Sequence, residues 1–264
     1  MAKEAERRYL SALNEASRCE VEGKPFSLED CGKMFMEMGA LFSLLPPPPA
    51  RLLDLGCGLG WTSRFFARRG YDVTGVDIAP DMVEGAERLR QMEGMTSNLR
   101  FEVMDYESCP FVEAFDAAVF FDSLHHAEDE GLALQAVYRA LAPGGICLTS
   151  EPGLGHADSA ESREAMARFG VTEKDMDPPR IWKAAQRAGF TSHTLYAHTY
   201  RLGHYYKVGP RFPGRKPFWL LLKALERLMR PRAVRRGDSF VDLLRLAKGM
   251  ASSTSEDAIV LLRK

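Results

Sequence analysis

Leu53-Asp54-Leu55-Gly56-Cys57-Gly58-Leu59-Gly60 is the stretch on which the reading of this chain turns. It closes a short apolar run, residues 51–55 (RLLDL), and leads into a helix-compatible run at residues 61–69. Glycines at alternate positions allow a tight turn and let the backbone approach a ligand that a Cβ would hold off. The helix start behind the loop favours polar ligand groups. Seventeen residues past Gly60 a second strand-like run ends in Asp77, where an acid can accept hydrogen bonds from both ribose hydroxyls of an adenine nucleotide. A nicotinamide dinucleotide calls for G-x-G-x-x-G, whereas G-x-G-x-G preceded by Asp54 stands here. A phosphate-binding loop would end in Gly-Lys-Ser/Thr, and Trp61-Thr62 follows instead.

Working outward, strands and helices alternate. Strands are expected at residues 71–76, 100–104, 115–121 and 145–150, and helices at 61–69, 80–93 and 128–141. The last of these helices stops at Ala142-Pro143-Gly144-Gly145. A further helix is expected at 178–188 and strands at 190–200 and 257–263. Strands separated by helices of this length imply right-handed crossovers and a parallel sheet covered on both faces. Residues 1–45 read as helix, ended by the run of prolines at 46–49. The expected organisation is one α/β domain with a helical cap at 1–49 and a core at 50–152. Residues 153–200 and 255–264 complete the core, and 201–254 form a lid or substrate insertion.

The chain has 264 residues, 45% hydrophobic and 27% charged, with a formal net charge of −1. That composition excludes a mainly disordered or collagen-like protein. No apolar run approaches the roughly 18–20 residues that span a bilayer, and the first twenty residues lack the apolar core of a signal peptide, so a cytoplasmic protein is expected. Five dispersed cysteines without a C-x-x-C pair argue against a disulfide framework and a zinc knuckle.

The glycine loop resembles the first motif of the class I S-adenosylmethionine-dependent methyltransferases, of the small-molecule type, and the resemblance extends over residues 51–151. VTGVDIAPDMV (73–83) is similar to the second motif of that family, VMDYE (103–107) to the third, FDAAVFFDSLHH (115–126) to the fourth, and LAPGG (141–145) to the segment before the fifth strand. The resemblance implies a Rossmann-like seven-stranded, mostly parallel sheet with an antiparallel last strand, and S-adenosylmethionine as cofactor. It implies a cofactor site of Asp54, Gly56, Gly58, Gly60, Asp77, Ile78, Asp105, Tyr106 and Asp122, with Asp77 on the ribose, Ile78 beside the adenine and Asp105 on its amino group. Asp77 and Asp122 can also be plain helix caps, and Asp105 a turn residue.

Methyl transfer from a sulfonium is an in-line displacement, so the protein must align donor and acceptor and exclude water. A hydroxyl acceptor also needs a base, an amine or thiolate less so. Candidates lie beyond the ends of the fourth and fifth strands. They are His126, next to His125, together with Glu151 and His156. His126, Glu151, His156 and Asp158 are metal-ligand types, but their spacing matches no recognised site and no metal is assigned. O-methylation of a small or medium-sized acceptor is the expected reaction. HADSAESREAMARFGVTEKD (156–175) is similar to methyltransferases of bacterial surface-glycan pathways, which points to a saccharide or glycan precursor. N- or C-methylation of another metabolite, or cofactor binding without catalysis, are the alternatives.

Residues 201–248 carry thirteen Lys/Arg against three acids, a local charge of +10 that leaves −11 for the rest. Phe218, Leu221, Leu222, Leu225, Leu228 and Met229 share one helical face there. A lid helix, a membrane-surface helix and an anionic acceptor all fit this segment. Nucleic acid is disfavoured because no RNA-binding module is evident. Tyr196, His198 and Tyr200 share one strand face, followed by His204, Tyr205 and Tyr206; they suit an acceptor pocket or simple packing.

Overall fold

A computed structural model describes residues 2–95, 97–197 and 257–264. These residues belong to one unit, built from residues 1–198 and 255–264. The segment 201–254, where a basic helix is expected, and His198, Tyr200, His204, Tyr205 and Tyr206 lie outside the described residues.

The expected N-terminal helix is four helices: α1 (Ala2–Arg7), α2 (Tyr9–Ala12), α3 (Glu15–Glu22) and α4 (Cys31–Leu44). The breaks have local causes. Leu13 is extended, Asn14 caps α3 by accepting the Ser17 N–H at 2.9 Å, and Gly23 ends it.

The core then alternates β1 (Arg51–Leu55), α5 (Trp61–Arg69), β2 (Asp72–Asp77), α6 (Pro80–Met92), β3 (Leu99–Val103) and β4 (Phe115–Phe121). It continues with α7 (Glu130–Ala140), β5 (Leu141–Pro152), α8 (Ala160–Phe169), α9 (Pro178–Ala188), β6 (Ser192–Ala197) and β7 (Asp257–Arg263). The strand order is β3-β2-β1-β4-β5-β7-β6. Strands β1 to β5 are parallel, and β7 is antiparallel to both β5 and β6. The expected mostly parallel sheet with an antiparallel last strand is therefore present. The chain runs outward from β1 to β3, then returns to lay β4 against the other side of β1. That reversal opens a crevice beyond the carboxyl ends of β1 and β4, where open α/β sheets hold their ligands.

Strand β5 starts earlier than expected. Leu141 pairs with Phe115, and the register then shifts so that Ile146 pairs with Ala117, which takes Ala142-Pro143-Gly144-Gly145 into the strand as an irregularity. A Cβ on Gly145 would lie 2.9 Å from the Ala142 carbonyl oxygen, so glycine is required there.

The period of two along each strand divides the core. Leu53, Leu55, Ala118 and Phe120 face a cluster with α7 and α9. Leu52, Ala117, Val119 and Phe121 face the opposite cluster, which includes Met38, Leu41 and Leu45 from the α4 end and Phe66 from α5. With both sheet faces covered, the ends of β1, β2 and β4 are held rigidly relative to one another. Among the described residues no helix is long and apolar enough to cross a membrane.

Candidate cofactor and acceptor cleft

The loop after β1 is held in shape by its own backbone. Gly56 and Cys57 both donate their N–H to the Val76 carbonyl, at 2.9 and 3.0 Å, tying the loop to β2. Gly56 has φ +69°, and a Cβ there would fall 2.6 Å from the Ser123 Cβ. Gly58 has φ +52° and open space where a Cβ would stand. Asp54 is buried beneath the loop and accepts the hydroxyls of Thr62 (2.6 Å) and Ser63 (2.5 Å), both on the first turn of α5. Burial raises its pKa to about 6. Gly60 makes room for the Phe101 ring, which a Cβ would approach to 2.4 Å. Asp54 and Gly60, expected at the cofactor, thus shape the loop from beneath, while Gly56 and Gly58 line the crevice.

That crevice is a cleft of about 600 Å³, within the size range of small-ligand sites. Asp77 lines it, with one carboxylate oxygen accepting Gly58 N–H and the other Ala79 N–H, each at 2.9 Å. Each oxygen keeps acceptor capacity for a hydroxyl. Burial raises the Asp77 pKa above the ordinary aspartate value, and the two backbone donors oppose that rise. Ile78, Asp105, Tyr106 and Asp122 also line the cleft. The Tyr106 hydroxyl donates to the Ser123 carbonyl at 3.0 Å, and its ring meets Phe120 edge-on. Asp122 has φ +52°, an uncommon backbone state for a residue with a Cβ, directly after β4.

Of the three expected catalytic groups, His126 lines the cleft and the other two serve its surroundings. Glu151 is buried. It accepts the backbone N–H groups of Ser123 (3.1 Å), Leu124 (2.8 Å) and His125 (3.2 Å), and it pairs with His125 Nδ1 at 2.9 Å. Both its oxygens are committed to the turn after β4, so Glu151 does not open to an acceptor. His156 is turned to Glu173, with Nε2 at 2.7 Å from the carboxylate. His126 places Nδ1 2.7 Å from the Thr172 carbonyl, so that nitrogen carries the proton and Nε2 keeps its lone pair.

Electrostatics separate the paired histidines. Burial works against the His125 imidazolium, but Glu151, Asp122 and Glu173 outweigh it and lift its pKa to about 9. Burial and the neighbouring His125 charge push His126 down to about 4. Their rings lie 4.0 Å apart. Three possible ligand atoms of His125, His126 and Glu173 lie within 4.8 Å of one another. Both His125 nitrogens face carboxylates, however, and His126 Nδ1 is bonded to a carbonyl.

The side wall of the cleft comes from residues outside the motifs. Lys3 and Glu6 on α1, and Tyr9 on α2, line the same cleft. Glu6 accepts the Thr172 N–H at 2.8 Å, and burial lifts its pKa to about 7. The spacing of Lys3, Glu6, Leu10 and Leu13 was the available signal, since positions three or four apart share one helical side.

A loop shaped around an open glycine, an acid with spare acceptors at the end of β2 and a histidine beyond β4 coincide with a recognised pattern. Residues 52–145 match the model of a family described as a methyltransferase domain. Over these residues the chain is similar to the class I S-adenosylmethionine-dependent methyltransferases. The ubiquinone biosynthesis O-methyltransferase of Psychrobacter cryohalolentis is 33% identical over 102 residues, 38% of this chain and 40% of that protein. The chain therefore spans about two fifths of the curated relatives it matches. Among solved structures, geranyl diphosphate C-methyltransferase from Streptomyces coelicolor shares the fold, with a TM-score of 0.65, 16% identity and coverage of 99% of this chain and 97% of that one. Phosphoethanolamine N-methyltransferase 2 of Haemonchus contortus has a TM-score of 0.63 at 20% identity, over 97% of this chain and 59% of that one.

The cofactor of the family is S-adenosylmethionine, and the residues fit it. The open position at Gly58 leaves room for a close ligand, and Asp77 has acceptors for a ribose diol. The cofactor supplies an electrophilic methyl group on a sulfonium centre.

Proposed function

We propose that this protein transfers a methyl group from S-adenosylmethionine to a small-molecule acceptor, leaving S-adenosylhomocysteine. The observation that carries the reading is one cleft lined by Gly56, Gly58 and Asp77 on one side and His126 on the other, with Asp122 on the rim between the strand ends. In this reading Asp77 holds the ribose, Ile78 and Tyr106 flank the adenine, and Asp105 takes its amino group. Asp122 borders the reacting centre. Glu151 and His125 position the turn that carries His126. The curated relatives named ubiquinone biosynthesis O-methyltransferase support a small acceptor.

His126 is the group that faces the acceptor. As a hydroxyl oxygen forms its new bond to carbon it becomes strongly acidic, so the weakly basic Nε2 can take its proton at that stage. For an amine arriving as the free base, Nε2 accepts an N–H hydrogen bond and orients the nitrogen lone pair. A saccharide hydroxyl and a metabolite amine both meet these requirements. The fold itself accompanies O-, N- and C-methyltransferase names among the similar proteins, so the acceptor is set by the walls around His126 rather than by the sheet.

The test is transfer of labelled methyl from S-adenosylmethionine to panels of sugars, phenols, alcohols and amines, beside binding of S-adenosylhomocysteine. His126→Gln should bind S-adenosylhomocysteine like wild type and lose at least about tenfold in transfer. Binding without transfer to any acceptor would favour a non-catalytic cofactor-binding protein. Absence of binding would overturn the reading.

A further inference from the structure

Helix α1 is anchored at two points around the cleft. Lys3 Nζ lies 2.6 Å from Asp105 Oδ2 and 3.0 Å from Glu107 Oε2, although 102 residues separate it from Asp105. Its backbone N–H also donates to Glu128 Oε1 at 3.2 Å. One turn later Glu6 receives the Thr172 N–H at 2.8 Å and stands 3.7 Å from His126 Nδ1. Tyr9 continues the wall, edge-on to Phe169 with ring centroids 5.4 Å apart. Leu10 is buried with Leu59, Ala79 and Met82, which joins this wall to the glycine loop. The N-terminal helices thus reach from Asp105 to His126.

Both oxygens of Asp105 already have a partner. Its Oδ1 accepts the Glu107 N–H at 2.9 Å, and Oδ2 faces the Lys3 ammonium. An adenine amino group and an ammonium are both donors, and the ammonium, held between Asp105 and Glu107 on the cleft wall, occupies the space beside Oδ2 that the amino group would take. We propose that Lys3 is a cofactor-site residue that competes with the adenine amino group for Asp105, so that S-adenosylmethionine enters by displacing the Lys3 latch. This rests on the assignment of Asp105 to the adenine in the function proposed above. The latch holds α1 across the site when the cofactor is absent, and a ligand lacking the adenine amine does not compete with it for Asp105.

The experiment is calorimetric titration of wild type, Lys3→Met and Lys3→Arg with S-adenosylhomocysteine and with its inosine analogue, at low and high salt. Lys3→Met keeps the aliphatic stem and removes the charge. It should bind S-adenosylhomocysteine about threefold to tenfold more tightly than wild type at low salt. Wild-type affinity should rise with salt as the ion pair is screened, and that of Lys3→Met should not. Lys3→Arg should resemble wild type. The inosine analogue, which presents a carbonyl in place of the amine, should gain nothing from the loss of Lys3. Wild type that binds S-adenosylhomocysteine while Lys3→Met binds it equally or more weakly would overturn the latch and leave the methyltransferase reading standing. No binding by any variant would overturn both.

Discussion

Glu151 at the end of β5 accepts the Nδ1–H of His125 at 2.9 Å, and the same carboxylate receives three consecutive backbone N–H groups from the turn after β4. One buried acid therefore ties together two adjacent strand ends. It also fixes the charge next to the cleft. With Glu151 on one side and Glu173 3.5 Å from Nε2 on the other, His125 is held as an imidazolium, and burial together with that charge keeps His126 neutral.

Histidine titration by NMR should show this division directly. His125 should stay doubly protonated up to about pH 9, and His126 should stay neutral down to about pH 4. The raised His125 pKa contributes stability that is fully present below the unfolded value near 6.5 and is lost as the pH rises through 9. Thermal melts of wild type should therefore decline over that window. In Glu151→Gln the decline should shrink, and the fold should lose roughly 3–5 kcal/mol, because an amide turns a donor toward N–H groups that need an acceptor. A flat wild-type profile between pH 6.5 and 9 would contradict the assignment.

Asp77→Ala should leave the fold intact and weaken S-adenosylhomocysteine binding by about tenfold to a hundredfold, the worth of two hydrogen bonds to a carboxylate. Calorimetry measures it. Unchanged affinity would place the ribose elsewhere.

The glycine loop allows a contrast between two substitutions of the same kind. Gly60→Ala puts a methyl group 2.4 Å from the Phe101 ring at φ +74° and should lower the melting temperature sharply. Gly58→Ala has open space around it and carries only the backbone cost of φ +52°, about 1 kcal/mol. It should fold and lose cofactor affinity, because its methyl group fills the side of the loop that the ligand approaches. Equal effects on stability and binding in the two variants would contradict the division of roles.

Glu130 at the start of α7 pairs with Arg180 (2.7 Å) and Lys174 (2.9 Å). Burial opposes its ionisation, but these two partners outweigh it and bring its pKa down to about 2. A lowered carboxylate pKa stabilises the fold above the unfolded value near 4.5 and ceases to do so as the pH falls through 2. Glu130→Gln should cost about 1–2 kcal/mol at pH 7 after allowance for solvent screening, and the difference should vanish toward pH 2. Urea titrations at several pH values measure both.

The glycine loop, Asp77, most element boundaries of the core and its α/β class were legible in the sequence because each depends on neighbours within a few residues. Alternation marks a strand, a glycine at positive φ marks a turn, and a proline opens a helix wherever the rest of the chain lies. The N-terminal breaks were harder to read, since Leu13 and Gly23 interrupt an otherwise helical run only through single-residue geometry. The tertiary structure alone decided which acid and which histidine face the cleft. Glu151 and His156 have the right chemistry and the right place along the chain, yet both are spent on partners 17 to 28 residues distant. Lys3 and Glu6 reach the site across more than a hundred residues. A buried carboxylate goes where unpaired donors are, and those donors exist only once the strands have been laid side by side.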